Sequence, residues 1–176
     1  MKPLDQETLQ RFVELAGERL AGDWVVIGGM VLPLLGVTHR VTMDIDLAGP
    51  EDAASDQMLT LMRIAEELGL PVEAINQAGA YFLHRIEGWQ DNLVEIHRGP
   101  QATIYLPDPT LFVLLKLSRL TESDSTDCLA MLDLARKKNT PVDHTRLRTA
   151  VELALVEAPT VGRAERLNEL LSKLPD

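Results

Sequence analysis

Four consecutive large apolar residues, Trp24-Val-Val-Ile27, run directly into Gly28-Gly29. A continuous apolar run this short has no polar face to offer water, so it reads as a strand covered on both sides. Helices on its two faces would supply the cover, which points to a mixed α/β architecture. The flanking sequence agrees. Leu9, Phe12, Val13, Ala16 and Leu20 share one face of a helix over residues 5–20, with Gly22 as its stop. Met30 to Leu35 reads as a short helix carrying Pro33 in its first turn, where proline is tolerated.

Residues 42–47 alternate Thr, Met, Asp, Ile, Asp, Leu. This period of two predicts a strand with Asp44 and Asp46 on one face and Met43, Ile45 and Leu47 on the other. Residues 52–68 follow as an amphipathic helix ended by Gly69 and Pro71. Three further strands are expected at Tyr81–Glu87, Leu93–His97 and Thr103–Leu106, separated by Gly88, Asp91-Asn92 and Gly99-Pro100. Beyond Pro107 the texture changes to helical periodicity over residues 111–120, 126–138, 143–157 and 163–174. The expectation is an α/β (α+β) fold: a mixed sheet flanked by helices over residues 1–107, with a C-terminal helical region over 108–176 packed on it.

Charge narrows the partners. The formal net charge is −10, and residues 1–110 hold 7 basic and 17 acidic side chains against 10 of each in the remainder. An acidic front half repels phosphate backbones, so a long nucleic-acid track is not expected there. At most an end of a polynucleotide is, resting on Arg136-Lys-Lys138 and Arg146/Arg148. The single cysteine, Cys128, excludes an internal disulfide or a multi-cysteine zinc site and reads as a buried core residue. The N-terminus lacks a signal-peptide pattern, and no apolar run is long enough to span a bilayer, so a cytoplasmic protein is expected.

The chemistry concentrates between Val26 and Leu47. Without side chains, Gly28 and Gly29 let a ligand approach their backbone N–H groups, close to the start of the following helix, where anions are favoured. Asp44 and Asp46 project from one strand, and two carboxylates so close call for a cation between them. Hard oxygen donors suit Mg²⁺, which takes one or two carboxylates together with substrate phosphates. A phosphate cradle opposite such a pair is the layout for phosphoryl or nucleotidyl transfer.

This stretch resembles the motif of the DNA polymerase β-type nucleotidyltransferase superfamily. The closer resemblance is to minimal AbiEii-type nucleotidyltransferase toxins, through Gly28-Gly29, Gly36 and Arg40-Val-Thr42-Met-Asp44-Ile-Asp46. Fourteen residues separate Gly29 from Asp44. Gly29 stands where the superfamily turn often has Ser, which leaves backbone alone for phosphate contacts there. The resemblance implies a third carboxylate on a neighbouring strand, with Glu95 the best candidate and Asp91, in the turn, the substitute. It implies two Mg²⁺ ions held by Asp44, Asp46 and Glu95. It also implies nucleotide contacts from Gly28, Gly29, Arg40 and Thr42, and His39 stands beside Arg40 in the same loop. Leu106-Pro-Asp-Pro through Lys116-Leu-Ser-Arg119 and Asp124-Ser-Thr-Asp127 resemble a further family segment. In it Lys116, Arg119 and Asp127 take part in nucleotide binding. A lysine on an apolar helix face is otherwise a surface residue or one paired to Asp127.

The implied activity is Mg²⁺-dependent transfer of a nucleoside monophosphate from an NTP to an acceptor hydroxyl, on a tRNA 3′ end or a protein. A toxin paired with a cognate antitoxin, and no membrane role, goes with that resemblance. The alternative is a non-catalytic nucleotide- or partner-binding protein on the same fold, antitoxin-like or a sensor.

Overall fold

The computed structural model describes residues 4–37, 42–50, 55–158 and 160–175. The chain divides into two units, Met1–Pro107 and Asp108–Asp176.

The first unit is a five-stranded mixed sheet with helices. Helix α1 (Gln6–Arg19) starts at Asp5, whose side chain accepts from Thr8 N at 2.8 Å. Its buried residues include Leu9, Phe12, Val13 and Ala16, the face its periodicity predicts. Strand β1 (Gly22–Ile27) is followed by a 3₁₀ turn over Gly28–Met30 and by the short helix α2 (Val31–Leu34). Then come β2 (Ile45–Ala48), α3 (Ser55–Glu67), β3 (Ile75–Asn76), α4 (Ala80–Leu83), β4 (Leu93–Arg98) and β5 (Ala102–Pro107). The strand order is β3-β2-β1-β5-β4. β1 lies antiparallel to β2 and parallel to β5. A parallel neighbour on one side and an antiparallel one on the other make the sheet mixed.

β1 is central and its apolar run is buried: Trp24 and Val26 are fully covered and Val25 and Ile27 nearly so. The Trp24 indole N–H donates to Ala21 O at 3.0 Å, which satisfies the one polar atom of that side chain. Antiparallel β4 runs along β5 with a register slip between Glu95 and His97, a bulge in the edge strand.

Two elements depart from the sequence expectation. Tyr81–Glu87 is not a strand. Residues 80–83 form α4, with Leu83 N bonded to Gly79 O and His84 N to Ala80 O, and Ile86 N closing a further turn onto Leu83 O. Of Tyr81, Phe82 and Leu83 only Leu83 is buried. The apolar content of this segment therefore never acquires the two-sided cover a strand needs. The second departure is β3, a two-residue strand that pairs in parallel with β2. Two residues are too few to show a period.

The second unit is helical: α5 (Pro109–Leu117), α6 (Glu122–Lys138), α7 (His144–Val156) and α8 (Val161–Ser172). Its core gathers Val113, Leu117, Leu120, Cys128, Leu147, Val151, Leu167, Leu170 and Leu174. Asp108 caps α5 by accepting from Leu111 N at 2.8 Å, and Pro109 occupies the first turn, where no N–H is missed. At the other end of α5, Arg163 Nη2 donates to Leu117 O at 2.9 Å and Arg166 Nε to Leu120 O at 2.7 Å. The Leu117 carbonyl is one that a helix end leaves without an internal donor, and Leu120 lies in the connection to α6. No helix among the described residues is long and apolar enough to cross a membrane.

Candidate functional site

The register of β1 on β2 sets the geometry of the first unit's site. Ile27 pairs with Asp46, so the strand that ends in Gly28-Gly29 lies directly beside the strand that carries the aspartate. Gly28 has φ +71°, a left-handed conformation that side chains rarely adopt. A Cβ at this position would collide with Asp46 Oδ2. Glycine is thus required twice over, for its backbone angle and for the carboxylate packed on it.

Asp46 is half-buried, while Asp44 is exposed immediately before β2. Thr42 shapes the approach to the strand. Its Oγ1 donates to Asp44 O at 2.9 Å and accepts from Asp44 N at 3.3 Å, and Leu4 N donates to Thr42 O at 2.9 Å. Thr42 is buried by this arrangement, so it supports Asp44 through the backbone. Arg40 and His39 lie outside the described residues.

Glu95 is placed elsewhere. It sits on β4, three strands from β2 in the sheet order, a separation of about 14 Å at ordinary strand spacing. Its carboxylate is exposed and pairs with Arg98, whose Nε donates to Glu95 Oε1 at 3.1 Å. The structure therefore brings Gly28 and Asp46 together, keeps Asp44 two residues away, and does not bring Glu95 to them. Asp91, the substitute, is exposed in the turn leading into β4. The residue in register with Asp46 on β3 is Asn76, an amide. Among the described residues no cluster of three His, Cys, Asp or Glu side chains stands ready to hold a metal ion. Asp44 and Asp46 offer a different donor set: one half-buried carboxylate against the glycine backbone and one exposed carboxylate two residues before it. That suits Mg²⁺ brought in with substrate phosphates, since this ion keeps several waters and needs one or two protein carboxylates.

Lys116, Arg119 and Asp127 form a separate constellation within the helical unit. Lys116 Nζ lies 3.0 Å from Asp124 Oδ1 and 3.0 Å from Asp127 Oδ2, with all three residues buried. Arg119, mostly exposed, adds Nε to Asp124 Oδ2 at 2.8 Å and Nη2 to Oδ1 at 3.0 Å. Asp124 also completes a capping box with Thr121 at the start of α6: Thr121 N donates to Oδ2 at 3.1 Å and Thr121 Oγ1 accepts from Asp124 N at 3.2 Å. Burial alone would raise the Asp124 pKa. The Arg119 hydrogen bonds, the Lys116 charge and the Thr121 donors outweigh it and hold the carboxyl well below the usual range. Asp124 is not among the site residues that the sequence points to, although Thr121-Glu-Ser-Asp124 carries the spacing of a capping box.

Of the basic groups expected to meet a polynucleotide, Arg136 pairs with Asp133 at 2.8 Å and Arg148 donates to Leu174 O at 2.9 Å.

No curated protein and no solved structure matches the chain. A family model matches residues 4–153, a span that holds both the Gly28–Asp46 pairing and the Lys116 network. On that match the chain belongs to the family described as nucleotidyltransferase of unknown function (DUF6036).

Proposed function

We propose that this protein is a Mg²⁺-dependent nucleotidyltransferase that moves a nucleoside monophosphate from an NTP to an acceptor hydroxyl. The observation that carries the reading is the register of Ile27 on Asp46, which sets the glycine turn against the carboxylate strand. In this reading the triphosphate lies along the Gly28-Gly29 backbone and Asp44 and Asp46 hold the metal. Bound Mg²⁺ would supply positive charge to neutralise the phosphate oxygens. The residues of the chain orient the nucleotide: the glycines by admitting it closely, the aspartates by fixing its triphosphate, and Thr42 by bracing the backbone of Asp44. The acceptor oxygen bonds to the α-phosphorus as the bond to pyrophosphate breaks, and the hydroxyl proton passes to a base or to water.

By its resemblance to the AbiEii-type toxins, the acceptor is a tRNA 3′ end or a protein side chain, and the chain acts beside a cognate antitoxin. Arg40, Lys116, Arg119 and Asp127 are the further nucleotide contacts that resemblance suggests. The bonding of Lys116 to two buried aspartates also accounts for its burial without a ligand.

The test is incubation with α-labelled NTPs, Mg²⁺ and either total tRNA or candidate partner proteins. Label should pass to one acceptor class, and Asp44→Ala with Asp46→Ala should abolish it. Equal labelling by the double variant would overturn the reading. One observation favours a second reading, a nucleotide- or partner-binding protein without catalysis: Glu95 stands three strands from Asp46. Tight Mg²⁺–NTP binding with no transfer to any acceptor would select it.

A further inference from the structure

The chain has two Trp, two Tyr and three Phe, and one of each lies within residues 81–89. Elsewhere Phe12, Trp24 and Phe112 are at most 1% exposed. Tyr81 and Phe82 are instead 61% and 50% exposed, in a protein with few aromatic rings to spend on its core. Adjacent exposed rings in such a chain are candidates for a recognition surface.

Their position is fixed relative to the aspartate strand by two contacts. Gly79, immediately before α4, packs so closely on Ile27 that a Cβ there would collide with Ile27 Cδ1. Ile27 is the residue in register with Asp46 and the one preceding Gly28. On the other side, Asn76 is in register with Asp46 and its Oδ1 accepts from Ala78 N at 2.8 Å, which turns the chain from β3 toward α4. Phe82 lies three residues beyond Gly79, a helical rise of about 4.5 Å. The Tyr81 and Phe82 rings meet edge to face, with centroids 5.5 Å apart and planes at 83°. The Arg85 guanidinium stands 5.1 Å from the Tyr81 ring centroid.

We infer that the Tyr81–Phe82 pair forms a platform for the nucleobase of the incoming nucleoside triphosphate, one ring stacking on the face of the base and the other, nearly perpendicular to it, closing its edge. The inference rests on the nucleotidyl-transfer reading and names the subsite that would hold the base. Every nucleobase has a π-face, so a platform of this kind binds without demanding one base. Charge favours the NTP over a polynucleotide as the occupant. With 16 acidic and 7 basic residues over positions 1–107, this unit repels a backbone of phosphates. A single nucleotide brings its phosphates to the metal and its base to the rings.

The experiment compares Mg²⁺–NTP with Mg²⁺–tripolyphosphate, which has no base, by calorimetry on the full chain. Tyr81→Ala and Phe82→Ala should each weaken NTP binding roughly tenfold and leave tripolyphosphate binding unchanged, and Tyr81→Phe and Phe82→Tyr should restore it. Unchanged tripolyphosphate binding also shows that each variant is folded. If the wild-type chain binds NTP no better than tripolyphosphate, or if the alanine variants lose neither or both equally, the platform is wrong while the triphosphate site stands. A raised KM for the acceptor with NTP affinity intact also overturns it, since the rings would then serve the acceptor. Binding of neither ligand by the wild-type chain would remove the nucleotidyl-transfer reading and the platform with it.

Discussion

Asp46 Oδ2 occupies the space that a side chain on Gly28 would fill, and the carboxylate thereby rests on the backbone of the glycine turn. Gly28→Ala should therefore lose stability in two ways, through its φ of +71° and through displacement of the carboxylate. Gly36 is the control. Its φ is +91°, yet nothing lies within 4 Å of where its Cβ would be. Gly36→Ala should cost about 1–2 kcal/mol, the conformational part alone. Gly28→Ala should cost more and should also weaken Mg²⁺–triphosphate binding. Urea denaturation and calorimetry on the two variants check both halves. Equal costs with equal binding would remove the Gly28–Asp46 contact from the account.

The sheet order sets Glu95 three strands away from Asp46. Asp46→Asn should abolish Mg²⁺-dependent triphosphate binding. Glu95→Gln, on the far edge strand, should leave it within about threefold and cost under about 1 kcal/mol of stability, as for an exposed ion pair. A Glu95→Gln variant as defective as Asp46→Asn would place the edge strand in the site.

Lys116 is held between two buried carboxylates, and its removal strands both. Lys116→Met should destabilise the chain by roughly 3–5 kcal/mol, since a buried charge left without its partner is costly. Asp127→Asn should cost less, because Asp124 still pairs with Lys116. Chemical denaturation gives the ranking, and the reverse order would mean that Asp127, and not Asp124, is the main partner.

The same network sets a response to acid. The Asp124 pKa is lowered in the folded chain, so the carboxylate form is favoured by folding. Its contribution is fully present above the unfolded carboxyl value of about 4 and is lost progressively as pH falls below that. Asp124→Asn should flatten the decline in stability below about pH 4. An unchanged acid limb in the variant would show that other carboxylates govern it.

Cys128 lies fully buried in the helical core. Burial is the main cause that pushes its thiol up to about 12, with Lys116 opposing and Asp124 and Asp127 adding to it. The thiolate is the reactive form, so at pH 8 the native protein should react with a disulfide reagent far more slowly than the urea-unfolded chain. Comparable rates would mean that the helical core opens readily.

The parts of this architecture written in several consecutive residues were legible from the sequence. The apolar run of β1, the alternation leading into β2 and the helical faces of α1 and α6–α8 all repeat a period over enough positions to be read. What failed to show was set by contacts distant in sequence. β3 consists of two residues whose strand character comes from pairing with β2. Tyr81–Glu87 has strand-like composition, but its Tyr and Phe rings stay in solvent and the backbone closes on itself in turns. The site shows the same division. The Gly28–Asp46 contact joins two segments close in sequence, whereas the place of Glu95 depends on strand order, which no local pattern encodes. The start of α6 was legible in principle: Thr121 and Asp124 carry a capping spacing that places it at Glu122, four residues before the expected start at Thr126.

The slip between Glu95 and His97 on the edge strand has a consequence outside the site. β4 carries Val94 and Ile96, 48% and 37% exposed, along one open border of the sheet. A straight border with such side chains would invite a second chain to extend the sheet. The extra residue breaks the spacing of outward-facing N–H and C=O groups, and Glu95 and Arg98 add charge on either side of it. The opposite border ends after two residues, too short to template anything. Irregularity at one margin and brevity at the other are features that disfavour pairing of this sheet with another edge to edge.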